Sequence, residues 1–117
     1  MKHFYYLATC STCKKIIQKL SIEKHLSLQD IKTEKITAEQ IDQMAEIAGS
    51  YEALFSRRAR KYQAMNLKEK DLSESDIREL ILEEYTFLKR PVAIIDNEIF
   101  IGNSSKNIEA LEKALTD

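Results

Sequence analysis

His3-Phe4-Tyr5-Tyr6-Leu7-Ala8-Thr9-Cys10-Ser11-Thr12-Cys13-Lys14-Lys15 is the stretch on which the reading of this chain turns. Residues 3–7 have the aromatic, apolar composition of a strand. From Cys13 onward, Lys14-Lys15-Ile16-Ile17-Gln18-Lys19-Leu20 places Ile16, Ile17 and Leu20 on one face of a helix. A strand, a short loop and a helix put Cys10 at or just before a helix N-terminus. There the unpaired backbone N–H groups favour a thiolate over a thiol. Cys13 follows about one turn later, near enough to attack a mixed disulfide formed on Cys10. The chain has two cysteines in all, both in this motif. Redox chemistry is the reading that results.

Working outward, Leu26-Ser27-Leu28-Gln29-Asp30-Ile31 alternates as a short strand. A helical crossover between the two strands makes them parallel and the connection right-handed. Thr37-Ala38-Glu39-Gln40 reads as a capping box, followed by Ile41, Met44, Ala45 and Ala48 at helical spacing, with Gly49 as the stop. A second helical segment is expected from about Ser50 to Met65. A third begins at Ser73, with Asp76 three residues on, and carries Ile77, Leu80, Ile81, Tyr85 and Leu88 inward. Val92-Ala93-Ile94-Ile95 and Ile99-Phe100-Ile101 flank Asp96-Asn97-Glu98 as a hairpin. Asn103 or Ser104 then caps a last helix with Ile108, Leu111 and Leu115 inward.

The predicted order is βαβ, a helical insertion over about 36–88, then ββα. That is an α/β, thioredoxin-like layout with a four-stranded mixed sheet, in a single domain spanning 1–117. Two glycines and one proline leave no linker or repeat to divide the 117 residues. The net charge of −1 gives no electrostatic reason to expect direct nucleic-acid or membrane binding. No apolar run approaches the ~20 residues of a membrane span. The first residues enter a strand without a signal-peptide pattern, so a cytoplasmic monomer is expected. In that reducing compartment a close cysteine pair points to catalysis or redox sensing.

Beyond the cysteines, Ser11 and Thr12 offer hydroxyl and N–H groups to the sulfur, and Lys14 and Lys15 add positive charge. Zinc would need four Cys or His ligands. Only His3 and His25 accompany the pair, expected at the far end of the strand and helix, so no metal is expected. In the expected 50–65 helix, Arg58 falls on the stripe formed by Tyr51, Phe55, Tyr62 and Met65. An inward guanidinium needs an anion, either a substrate or thiolate or an internal salt-bridge partner. Arg57 and Arg60 face elsewhere on that helix. Arg90-Pro91 immediately precedes a core strand, which by itself reads as a strand-start proline. In the inferred fold this bond is cis and lies against the thiol loop, with Arg90 projecting near the sulfur.

The chain resembles the glutaredoxin-like arsenate reductases (ArsC) and their relatives, the Spx-type regulators. The resemblance runs nearly the whole length. It rests on Cys10-Ser11-Thr12-Cys13-Lys14-Lys15, on Leu54-Phe55-Ser56-Arg57-Arg58-Ala59 and on Leu88-Lys89-Arg90-Pro91-Val92. It implies a thioredoxin-like sheet with an inserted helical subdomain. It also implies a nucleophilic Cys10, a resolving Cys13, and Arg58 (or Arg57) and Arg90 holding negative charge. Ser11, Thr12, Lys14, Arg57 and Pro91 become candidate substrate contacts. No bound cofactor is implied, with glutathione, glutaredoxin or thioredoxin as electron donor. Two features depart from the arsenate reductases. Their third arginine falls where this chain has Ile101-Gly102-Asn103, and they need no second cysteine at the position of Cys13, which Spx-like members carry. The resulting expectation is a thiol oxidoreductase of the arsenate reductase-like kind, its Cys10 thiolate attacking a disulfide or oxyanion substrate and Cys13 resolving. The alternatives are an Spx-like switch binding the RNA polymerase α subunit, with Gly49 resembling a contact glycine, or a true arsenate reductase.

Overall fold

A computed structural model describes residues 2–116. Two compact units emerge. One combines the residues up to Lys35 with those from Arg90 onward, and the other runs from Ile36 to Lys89.

The first unit is built on a sheet of four strands in the order β2-β1-β3-β4. Strand β1 (Lys2–Tyr6) pairs parallel with β2 (Ser27–Asp30) and antiparallel with β3 (Val92–Ile95), which forms a hairpin with β4 (Glu98–Ile101). The sheet is therefore mixed, as expected. Helix α1 (Ser11–Leu20) connects β1 to β2, and α5 (Ser105–Thr116) follows β4. In register, Phe4 stands beside Ala93 and Ala93 beside Phe100. These three pack with Ile16 and Leu20 of α1, Ile22, Leu26 and Leu111 of α5 as one buried cluster. Ile17, Ile108 and Leu115 close its margin.

The other sheet face carries Tyr5, Gln29, Val92 and Ile94, all nearly or fully buried. Strand β2 departs from simple alternation: Leu28 is 37% exposed whereas Gln29 is 2% exposed. Gln29 is tolerated inside because its amide donates to the Glu34 carbonyl at 3.0 Å and its oxygen lies 2.8 Å from the His3 ring. Leu28 shares the Phe4 face but sits on the outermost strand, where packing runs out.

In the second unit, α2 (Ala38–Ala48) starts with the reciprocal box expected of Thr37 and Gln40. It stops at Gly49, whose φ of +96° is a left-handed conformation open to glycine. Helix α4 (Glu74–Glu83) has the equivalent box between Ser73 and Asp76. Between them the expected continuous helix over 50–65 does not form. A 3₁₀ turn covers Glu52–Leu54, Phe55 is extended, residues 57–58 turn, and α3 spans only Arg60–Ala64. Phe55 is drawn out of helical geometry by a bridge to Leu88, with Ser56 N–H donating to the Phe87 carbonyl at 2.6 Å and Lys89 N–H to Leu54 at 2.8 Å. The Phe55 and Phe87 rings stack 5.3 Å apart. Likewise α4 ends before Tyr85. Leu80 is half-exposed, and Leu88 is buried through the bridge, not through a helix face.

Candidate thiol site

Cys10 is the N-cap of α1, with φ −89° and ψ 112°, and its carbonyl accepts the first helical bond from Lys14 N–H at 3.2 Å. Its own N–H donates to the Leu7 carbonyl at 2.9 Å, which tightens the loop leaving β1. Both cysteines are free thiols, Cys10 half-buried and Cys13 buried.

Their environments push them apart. Partial burial works against the Cys10 thiolate. The Cys13 N–H, the Cys13 thiol, the Thr12 N–H and the charge of Arg90 outweigh it, and Cys10 ends below the ordinary thiol value. Burial drives Cys13 the other way, up to about 11. The Leu7 backbone and Arg90 oppose that rise, while the hydrogen bond and charge of Cys10 add to it. Cys10 is thus the easier of the two thiols to ionise, and Cys13 the one that holds its proton more firmly.

Arg90 supplies charge to both sulfurs from a half-buried position. Its Nη1 is buried and has no hydrogen-bond partner among the described residues. The Arg90–Pro91 bond is cis, as the inferred fold required. The Pro91 carbonyl accepts Gly102 N–H at 2.8 Å, tying this segment to the end of β4. Ser11, Thr12 and Lys14 are exposed on the first turn of α1. Thr12 and Lys15 also line a groove of about 300 Å³ between α1 and α5.

The first unit therefore gathers Cys10, Ser11, Thr12, Cys13, Lys14, Arg90 and Pro91. Arg57 and Arg58 belong to the second unit. Contrary to the expectation of an inward guanidinium, Arg58 is exposed in the 57–58 turn, because the helix that would have aimed it inward is interrupted. Arg57 pairs with Glu52 at 3.1 Å and lies 5.4 Å above the Phe55 ring. The contribution that sequence reasoning missed is the Leu7 backbone, which serves both cysteines; a main-chain group leaves no signal in residue identity. No group of three or more His, Cys, Asp or Glu side chains among the described residues could hold a metal ion. No helix there is long and apolar enough to cross a membrane.

The ArsC family matches residues 5–111. The chain belongs to the ArsC family. A global transcriptional regulator Spx from Lactiplantibacillus plantarum is 25% identical over 108 residues, spanning 89% of this chain and 80% of that protein. A solved structure from Streptococcus mutans, described as a possible arsenate reductase, is 26% identical with a TM-score of 0.75, covering 96% of this chain and 98% of that one. An arsenate reductase from Vibrio cholerae shares the fold at 15% identity and a TM-score of 0.77, covering 95% of each chain. The four-stranded mixed sheet of this ArsC-family protein is thus the thioredoxin-like sheet of its structural neighbours. Membership supports a thiol-based family function.

Proposed function

We propose that this protein is a thiol–disulfide oxidoreductase. The Cys10 thiolate attacks one sulfur of a substrate disulfide, forming a mixed disulfide and expelling the other sulfur as a thiolate. Cys13 then loses its proton and attacks the Cys10 sulfur. This closes a Cys10–Cys13 disulfide and releases the second substrate thiolate. Two electrons pass from the protein dithiol to the substrate. Glutathione, glutaredoxin or thioredoxin returns the protein to the dithiol.

The observation that carries this reading is the opposite displacement of two thiols three residues apart, Cys10 down and Cys13 up to about 11. Iodoacetamide alkylation followed against pH tests it. Cys10 is expected to titrate below the free-thiol value of ~8.5, and an unperturbed Cys10 sinks the proposal. Arg58 is assigned to an anionic part of the substrate on the family resemblance alone. Arg58→Ala is expected to raise KM without moving the Cys10 titration.

A second reading is favoured by two observations. The Spx relative and the exposed, left-handed Gly49 after α2 suit a redox-switched regulator that contacts the RNA polymerase α subunit. Recovery of purified α subunit by only one redox state of the protein supports it. Equal recovery by both states, or none, removes it. Arsenate turnover coupled to glutaredoxin is expected to be low, since strand β4 offers no arginine.

A further inference from the structure

Leu28 and Met65 are the large apolar side chains left exposed among the described residues. Leu28 is explained by its place on an edge strand. Met65 is not. It directly follows α3 and opens a groove of about 360 Å³ whose apolar lining continues through Leu67, Leu72 and Leu80. Asp71, Asp76, Glu79 and Glu83 stand around this lining, against a single ammonium, that of Lys70. Residues 76, 79 and 83 are spaced by three and four along α4, so their carboxylates share the side of the helix that carries Leu80.

Two of these carboxylates have local work. Asp76 accepts the Ser73 N–H at 3.0 Å, and Glu79 meets Arg78 at 2.8 Å. Asp71 and Glu83 have no such partner among the described residues. A methionine left in water beside unpaired carboxylates adds nothing to the core of its own unit, which Leu67 and Ile77 already fill at 2% and 3% exposure.

We infer that this groove is a docking surface for a basic amphipathic helix of another protein. Apolar side chains of that helix sit on Met65, Leu72 and Leu80, and its lysines or arginines face the carboxylates. An unbranched, polarizable methionine adapts to anchors of differing shape. A helix laid in a groove is a recurring mode of peptide recognition. The acidic rim attracts a cationic helix and rejects an anionic one. A second copy of this chain does not meet the requirement. Among the described helices of ten residues or more, the basic one is α1, with Lys14, Lys15 and Lys19 and no acidic residue, but Ile16 and Leu20 of that helix are spent in the core. The groove holds no cysteine, so docking is independent of the thiol chemistry.

The test uses the reduced protein and three labelled synthetic peptides of about four helical turns. One has leucines on one face and lysines elsewhere, one has glutamates for the lysines, and one has the first composition with its leucines scrambled off the face. The lysine peptide is expected to bind at least about tenfold more tightly than either of the others, with amide shifts centred on Met65, Leu72 and Leu80. Asp71→Asn with Glu83→Gln is expected to weaken it about tenfold, and Met65→Ser several-fold. All three substituted positions are exposed, and an unchanged melting curve verifies the fold of each variant. Cys10→Ser is expected to bind like the parent. Equal binding of the glutamate or scrambled peptide overturns the inference. So does unchanged affinity after Met65→Ser, a set of shifts centred elsewhere, or self-association of the chain that Met65→Ser abolishes.

Discussion

The sheet unit and the helical unit use polar side chains in opposite ways. In the helical unit charge is locked into structure. Arg78 grips both oxygens of Asp42 at 2.7 and 3.2 Å, the Tyr51 hydroxyl donates to the same carboxylate, and Glu74 accepts the N–H groups of Tyr51 and Glu52. Arg57–Glu52 and Lys61–Glu84 add two further pairs. In the sheet unit Arg90 ends in a buried nitrogen with no partner, and the Tyr5 hydroxyl is buried and unpartnered as well. The contrast is one of burial: the unpartnered guanidinium nitrogen of Arg90 is buried and its charge acts on both sulfurs, whereas the unpaired carboxylates of the helical unit, Asp71 and Glu83, lie exposed to water.

The most severe way to break this comparison is to remove the sulfur. Cys10→Ser is expected to lower disulfide reduction at least about 10³-fold while leaving the melting temperature near that of the parent. Cys13→Ser should instead accumulate a mixed disulfide with substrate, visible by mass spectrometry.

The next effect is on stability in alkali. Burial raises Tyr5 to about 12 and Cys13 to about 11, so both keep their protons in the folded state after the unfolded chain has lost them. Their stabilisation is complete at neutral pH and disappears as pH climbs through about 9 to 12. Tyr5→Phe is expected to remove about 2–3 kcal/mol of that alkaline loss, read from urea unfolding at pH 8 and pH 12. Cys10 has the opposite sign. Its lowered value gives the reduced protein stability that is lost as pH falls through the folded value.

Arg90→Met sharpens the contrast further. The apparent pKa of Cys10 should rise and alkylation at neutral pH should slow by up to about tenfold, with little change in melting temperature. Arg78→Met should do the reverse, lowering the melting temperature and leaving the thiol titration where it was. The smallest expected effect is Thr37→Ala. It opens the α2 capping box for about 1 kcal/mol and does not touch the thiols.

Much of this could be read from the chain before any coordinates. Thr37 with Gln40 and Ser73 with Asp76 announce two helix starts, because capping is a local transaction among four residues. The hairpin and the strand–loop–helix around Cys10 are equally local. What escaped depended on distant partners. Tyr51, Phe55, Arg58, Tyr62 and Met65 repeat at helical spacing, yet Phe55 bonds to a segment more than thirty residues away and the period has no helix behind it. Gln29 and Leu28 exchange their expected places because His3 and Glu34 satisfy the amide and the sheet ends beside the leucine. At the site, the motif identified the sulfurs. Which of them holds the proton depended on the burial of Cys13 and on the Cys13 and Thr12 main-chain N–H groups beside the Cys10 sulfur.

In the reaction proposed above, the hydrogen bond between the two thiols would set the order of events. While Cys10 is an anion, its charge and its acceptor sulfur both keep the proton on Cys13. Once Cys10 is capped by a substrate sulfur, that restraint vanishes and Cys13 becomes easier to ionise at the moment its attack is needed. In the proposed reaction the resolving thiol is therefore hardest to ionise while Cys10 is free and easier to ionise once the mixed disulfide has formed.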